Sequence, residues 1–316
     1  MSPSIAEPKY QPHRMARRWA GPLFGIACFL ATLTGVLVLS VVLGAVIAAA
    51  LRQPGAAPWY HLGTNLRELF DLLLGLVQKP QSSDPLRAGF RAGVVGSLWM
   101  LGLVGLMAIP VGVGAAVYLE EYIAPGALRR IIQTNIANLA GVPSIVYGIL
   151  GLAVFVRAFG MKEYALGRTL IAGGLTLSLL VLPVIVISTQ EALRTVPNSL
   201  RQAALALGAT RWQMVRDHVL PAALPGILTG TILSLSRAIG ETAPLLMVGA
   251  AGSIGVLPRS PFDRYTVLPV EIYNYAKNPK VQFQTVTAGG ILILLLLLLT
   301  MNATAIIIRN RYARSG

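Results

Sequence analysis

Two opposite charges interrupt an apolar run in the last third of the chain. Arg237 and Glu241 lie in SLSRAIGETAPLL, and a spacing of four places both on one helix face. A charged side chain at bilayer depth costs about 2.5–3.5 kcal/mol even on the lenient insertion scale. An opposite charge one turn away offsets part of that cost. Either the pair is a neutralised lock within a helix bundle, or Arg237 faces a water-filled path and meets an anion there. A guanidinium suits the second role, because its fork of donors matches phosphate oxygens and its charge is permanent. Glu241 then moderates the site, since conduction requires binding weak enough to reverse. Ser234, Ser236 and Thr242 add hydroxyls nearby. Gly240 and Pro244 allow an unwound turn whose exposed backbone could line a cavity.

The element that must move such a path lies upstream. Residues 191–221, EALRTVPNSLRQAALALGATRWQMVRDHVLP, separate two long apolar segments and carry Arg194, Arg201, Arg211 and Arg216. A plain connection needs about 2–8 residues; this one is far longer and reads as two short helices with a glycine elbow. Ser199 with Gln202 fits a capping box, as does Thr210 with Gln213. Leu200, Ala203, Ala204 and Leu207 share a helical face. Gly208 supplies the left-handed residue that ends the first helix, and Leu220-Pro221 closes the segment. A helical pair outside the membrane is an arrangement for docking onto another protein.

Composition sets the frame. The 316 residues are 55% hydrophobic and only 12% charged, with a formal net charge of +14. A soluble domain carries about twice that charged fraction, and several apolar runs reach the roughly 20 residues that cross a bilayer. The chain therefore reads as an all-α, polytopic membrane protein. Its basic character points to lipid and partner surfaces, not to nucleic acid. The one cysteine, Cys28, lies within an apolar run and suggests neither a disulfide nor a metal site. No Walker A, HExxH or GxSxG motif and no metal-spaced His/Cys set is present in the sequence. No catalytic residue, metal or cofactor is expected of this chain, and any ATP hydrolysis must be a partner's.

Read in order, residues 1–19 form a basic tail and 20–51 a first span, about Pro22 to Leu51. Residues 52–90 form a long loop in which Leu66 to Val77 has an amphipathic pattern, ended by the breakers at 79–85. Further spans are expected at about Gly93–Leu119 with Pro110 kinking it, Ile131–Phe159 broken at Gly141-Val142-Pro143-Ser144, Leu170–Ser188, Pro221–Val248 with Gly226 and Gly230 as a small contact face, and Val286–Ile308. Residues 249–285 read as a second long loop, and 309–316 as a basic tail. Six spans put both termini on one side. Lys and Arg divide almost evenly between the two sides, so the arginines close to the first and last spans decide: they favour cytoplasmic termini, which also places 191–221 in the cytoplasm.

Gln202-Ala203-Ala204, Gly208 and His218-Val219-Leu220-Pro221 resemble the EAA loop of ABC-transporter permeases, in which E-A-A, three residues, Gly, nine residues and I-x-L-P follow one another. Gln202 replaces Glu and His218 replaces Ile. The segment Gly230 to Leu246, with R-x-x-G-E-T-A-P, together with EALRTVPNSLR and GVPSIVYG (Gly141 to Gly148), resembles the A-type membrane subunits of bacterial phosphate (Pst) importers. The resemblance covers about residues 90–308. It implies a type I importer permease fold, with six transmembrane helices and a cytoplasmic coupling loop at 191–221. It also implies a bacterial inner-membrane location, a sister permease subunit, ATPase subunits, an extracytoplasmic phosphate-binding protein and inorganic phosphate as cargo. In that frame Gln202, Ala203, Ala204, Leu207 and Gly208 couple to the ATPase, while Arg237, Glu241, Thr242 and Ser234 line the path. Permeases for molybdate or sulfate, and the sister phosphate subunit, are the alternatives within the class. An ion-coupled secondary transporter is the alternative outside it; a membrane scaffold explains 191–221 but not the buried charges.

Overall fold

Long apolar segments in lipid must satisfy their own backbone, and a helix does so within one segment. The computed structural model describes residues 14–51, 62–250 and 257–314. Most of the tail assigned to 1–19 therefore lies outside the described residues, as do the beginnings of both long loops. Among the described residues five helices are long and apolar enough to span a bilayer, and the number is six, as expected, when a bent helix pair is counted as one span.

The chain divides into two units after Ala49. The first is essentially α1 (Arg14–Ala50). Its hydroxyls at Thr32, Thr34 and Ser40 each donate to the carbonyl four residues back at 2.8 Å, so an apolar helix carries no unmet donor there.

The second unit holds the rest. Helix α2 (Leu62–Gln78) is the amphipathic element anticipated within 66–77, with Glu68 and Asp71 on its exposed side. Helix α3 (Arg91–Val117) runs into a wide π turn at Tyr118–Tyr122 and carries Pro110 without a break in its assignment. The expected third span is two helices, α4 (Ala127–Ala140) and α5 (Ser144–Gly151, extended by a π turn to Val156), bent by 97° at the intervening Gly-Val-Pro. Helix α6 (Leu170–Arg194) packs along α3: Gly112 of α3 lies against Ile185, and Leu103 against Gly174. The two helices thus run parallel around the core of Leu103, Val104, Leu177, Val181 and Ile185. Helices α7 (Asn198–Ala206) and α8 (Arg211–Met214) follow, then α9 (Leu220–Gly240), α10 (Ala243–Val248), α11 (Leu268–Ala276) and α12 (Phe283–Arg314). Gly226 and Gly230 let α9 press on α6: a Cβ at 226 would stand 2.7 Å from that of Ala192, and one at 230 would meet Ser188. The small contact face thus serves close packing within this chain.

Helix α11 was hidden in what reads as a loop. Its prolines suggested turns, but Pro269 sits in the first helical turn, where its missing N–H costs nothing and its fixed φ helps initiation. Around it Tyr275 donates to the Gly89 carbonyl at 3.1 Å and accepts from the Ser82 amide at 3.3 Å. Its ring stacks on Phe283 and meets Phe90 edge-on, each at 5.2 Å. This aromatic cluster ties α2, the α2–α3 loop and α12 together at the end of the unit remote from α7.

Beside it Glu271 is fully buried against Gly93 of α3, with neither oxygen in a well-aligned hydrogen bond. Burial pushes its carboxyl up to about 8, the Gly93 backbone working the other way more weakly. A raised carboxyl binds its proton more tightly folded than unfolded. Its contribution is complete below the unfolded value and is lost as pH rises from about 4.5 to 8. Thermal unfolding in detergent should therefore show stability falling as pH rises through that window, and Glu271→Gln should remove that component of the slope. An unchanged slope in the variant contradicts this assignment.

Candidate functional site

Proline at 221 cannot donate to a carbonyl four residues back. The sequence therefore suggested a stop at Leu220-Pro221, and the structure differs. A π turn at Val215–Val219 precedes the proline, and Leu220 donates to the Val215 carbonyl. The wider turn absorbs the missing donor, so one helical path runs from Arg211 to Gly240. The second arm of residues 191–221 is thus the foot of the span that carries Arg237.

That span does not reach Val248. It stops at Gly240, Glu241 is extended (φ −77°, ψ 107°), and α10 begins at Ala243 with Pro244 in its first turn. The unwound turn expected from Gly240 and Pro244 is present. Arg237 and Glu241 meet there, Nε to Oε1 at 3.4 Å, with side chains 49% and 19% exposed. This pair engages one nitrogen, leaving the two terminal nitrogens of the fork outside it. Thr242 is half-buried at the same break.

Ser234 stands apart. It is buried in the body of the unit and its hydroxyl donates to the Gly230 carbonyl at 2.8 Å. Ser236 donates to Ile232 and reaches Asn302 of α12 at 2.5 Å. Both hydroxyls donate to the carbonyl four residues back within α9, an outcome common for serines inside helices that spacing alone does not reveal.

The two breaks pack on each other. A Cβ at Gly148 of α5 would lie 2.7 Å from the Cα of Pro244, so only a bare glycine lets α5 and α10 approach this closely. Tyr147 donates to the Leu139 carbonyl at 2.9 Å across the α4–α5 bend. Non-helical backbone at membrane depth is tolerated where it is covered by protein or lines a cavity, and paired discontinuous helices are a recurring way to build a transport site.

At the other end, residues 191–221 form the expected glycine elbow. Gly208 adopts φ +87°, the left-handed region where only glycine is free of a Cβ penalty. Thr210 and Gln213 form the expected reciprocal cap, with bonds of 2.8 and 3.3 Å. The cap expected of Ser199 and Gln202 is not formed. Pro197 occupies the N-cap with extended backbone, the helix starts at Asn198, and Ser199 already lies inside the first turn. The shared face also divides. Ala204 is buried and Leu200 partly so, against the body; Ala203 is exposed and Leu207 is 90% exposed. Gln202, Leu205 and Trp212 are exposed as well.

A family model described as "Binding-protein-dependent transport system inner membrane component" matches residues 108–313. The chain belongs to this family. The match takes in every helix from the C-terminal part of α3 onward, so the permease family covers both the break and the docking segment. The permease is 39% identical over 194 residues to the probable ABC transporter permease protein YqgH of Bacillus subtilis, covering 61% of this chain and 62% of that one. It is 36% identical over 223 residues to the phosphate transport system permease protein PstA 1 of Mycobacterium tuberculosis strain H37Rv, covering 70% of each. In fold it matches a chain from a bacterial ABC transporter involved in the import of alginate, with a TM-score of 0.62 at 17% identity over 93% of this chain and 98% of that one. The fold is that of a type I ABC importer permease, and the chain is a multi-pass membrane protein.

Proposed function

We propose that this permease is a membrane subunit of an ATP-driven importer of inorganic phosphate. The observation that supports the reading most is the Arg237–Glu241 pair. It lies at a helix break, engages one guanidinium nitrogen and sits within the R-x-x-G-E-T-A-P segment. The name of the mycobacterial relative points to the same cargo. In this reading the chain forms the path with a sister permease, ATPase subunits dock on the surface around Leu207 and Gly208, and an extracytoplasmic binding protein delivers the anion. Arg237, Glu241 and Thr242 face the path, while the Ser234 hydroxyl is taken up within α9. The chain carries no catalytic role of its own; the ATPase supplies motion and the permease changes which side the path faces. Both termini and residues 191–221 face the cytoplasm of a bacterial cell.

The test is uptake of labelled phosphate into vesicles holding this chain with its sister permease, ATPase and binding protein, with and without ATP. ATP-dependent accumulation that unlabelled phosphate competes away, and that molybdate and sulfate do not, supports the reading. Competition by those oxyanions assigns another cargo. Accumulation that ignores ATP and follows a proton gradient overturns the importer reading.

A further inference from the structure

We infer that Glu120, Glu121 and the arginines they hold form a clasp that makes the docking helix α7 move as one body with α3, α4 and α6. The inference rests on the transport reading and adds to it a route for the motion. Glu120 and Glu121 lie in the π turn that extends α3. Arg201 of α7 gives Glu121 its Nε at 3.2 Å and one terminal nitrogen at 2.7 Å. The same guanidinium donates to the Leu193 carbonyl at 2.8 Å, the Val196 carbonyl at 2.6 Å and Asn198 Oδ1 at 3.3 Å. The Leu193 carbonyl, in the last turn of α6, also accepts from the Val196 amide at 3.3 Å, so Arg201 adds a second donor at that end of α6 while it pairs with α3. All five guanidinium donors are thereby used, and the Arg201 and Glu121 side chains are only 17% and 6% exposed.

Glu120 completes the clasp. It pairs with Arg129 in the first turn of α4, and accepts from Arg194 at the end of α6 at 2.5 and 2.9 Å. Gln133 of α4, with its amide oxygen toward the arginines, accepts from Arg129 and Arg194 at 3.2 Å each. Apolar packing alone would hold α7 to the body, as Ala204 already does within the cluster of Val196, Val215 and Val219. A bidentate fork adds a fixed orientation. The docking segment therefore has two outputs. One is the helical path through α8 into α9, ending at Arg237. The other passes through the clasp to α4, which ends at the bend next to α5, and α5 packs on α10. Both outputs converge on the paired breaks.

The test uses the assembled complex in a Cys28→Ser background, with spin labels at Ser199→Cys on α7 and Ala137→Cys on α4, both exposed positions. Distance distributions are measured without nucleotide and with ATP trapped. With the clasp intact, the distance should be narrow and the same in both states. In Arg201→Met it should broaden and differ between the states, and in Arg201→Lys, which keeps the charge but not the fork, the effect should be smaller. Phosphate carried per ATP should fall between about two- and thirtyfold in Arg201→Met, as for residues along a coupling network, with hydrolysis persisting. Should Arg201→Met not assemble, Glu121→Gln, which removes only the charge, carries the same measurement. A distance that shifts with nucleotide in the unaltered clasp, or that stays narrow and fixed in the variants, overturns the inference. Because the label distances involve no anion, absence of phosphate uptake in the parent complex would strike the transport reading and leave the clasp to be judged on the distances.

Discussion

Phosphate uptake should be lost in Arg237→Gln while the complex still assembles. Glutamine keeps much of the side chain's length and can donate from its amide, so packing around the break changes little. What goes is a permanent charge and a fork. Two charge-assisted hydrogen bonds to phosphate, at about 1.5–3 kcal/mol each, correspond to roughly a hundred- to ten-thousandfold in occupancy of the site. The geometry leaves donors for an anion: Arg237 is 49% exposed and meets Glu241 through Nε alone, so both terminal nitrogens lie outside the pair. The measurement is uptake beside the amount of assembled complex recovered. A variant that assembles and still takes up phosphate at the parental rate removes Arg237 from the path. A variant that fails to assemble assigns the pair to the bundle.

Gly208→Asp should uncouple hydrolysis from uptake without affecting membrane insertion. The backbone at Gly208 is left-handed, and any Cβ there costs about 1–2 kcal/mol, less for Asp or Asn. Within this chain that is the whole cost, since a Cβ at 208 meets no atom within 4 Å. Any further loss must come from what covers the elbow in the complex. Uptake is expected to fall at least about tenfold, as for a lost contact of about 1.4 kcal/mol, with ATP hydrolysis persisting. Gly208→Asn separates the causes. If it matches Gly208→Asp, space for the partner is what matters; if it is mild, the aspartate's charge is. Unchanged uptake in both would remove the docking role from the elbow.

The parts of this molecule legible in its sequence are those decided within a few residues. Gly240 and Pro244 announced the break because each acts on its own backbone. Thr210 with Gln213 announced a cap because both partners lie within one turn. The same local reasoning failed at Ser199, where the N-cap falls at Pro197, two residues earlier, and leaves the hydroxyl inside the first turn. It failed again at Pro221, where a π turn supplied a way around the missing donor, and at Pro269, which began a helix in place of a loop. Arg201 and Glu121 are 80 positions apart and Arg194 and Glu120 are 74 apart. Nothing in spacing joins residues that distant; a pairing of this kind emerges only once α3 and α6 lie parallel. The exposure of Leu207 and the burial of Ser234 likewise depend on which way whole helices face.

The π turn at Val215–Val219 bears on angle as well as on continuity. Each residue of a regular helix advances the face by about 100°, and a π turn fits one more residue into a turn than regular winding does. Trp212 and Arg237 are therefore out of phase with any wheel drawn through 211–240 at constant pitch, by about the angle of one residue. Deleting a single residue within 215–219 would restore regular winding and rotate the foot of the span by roughly that angle relative to its head. The chemistry at both ends would be untouched, yet the Arg237 face would point to a different wall for the same orientation of the Trp212 face. In the proposed reading, the surplus residue sets the azimuth at which motion of the α8 end reaches Arg237.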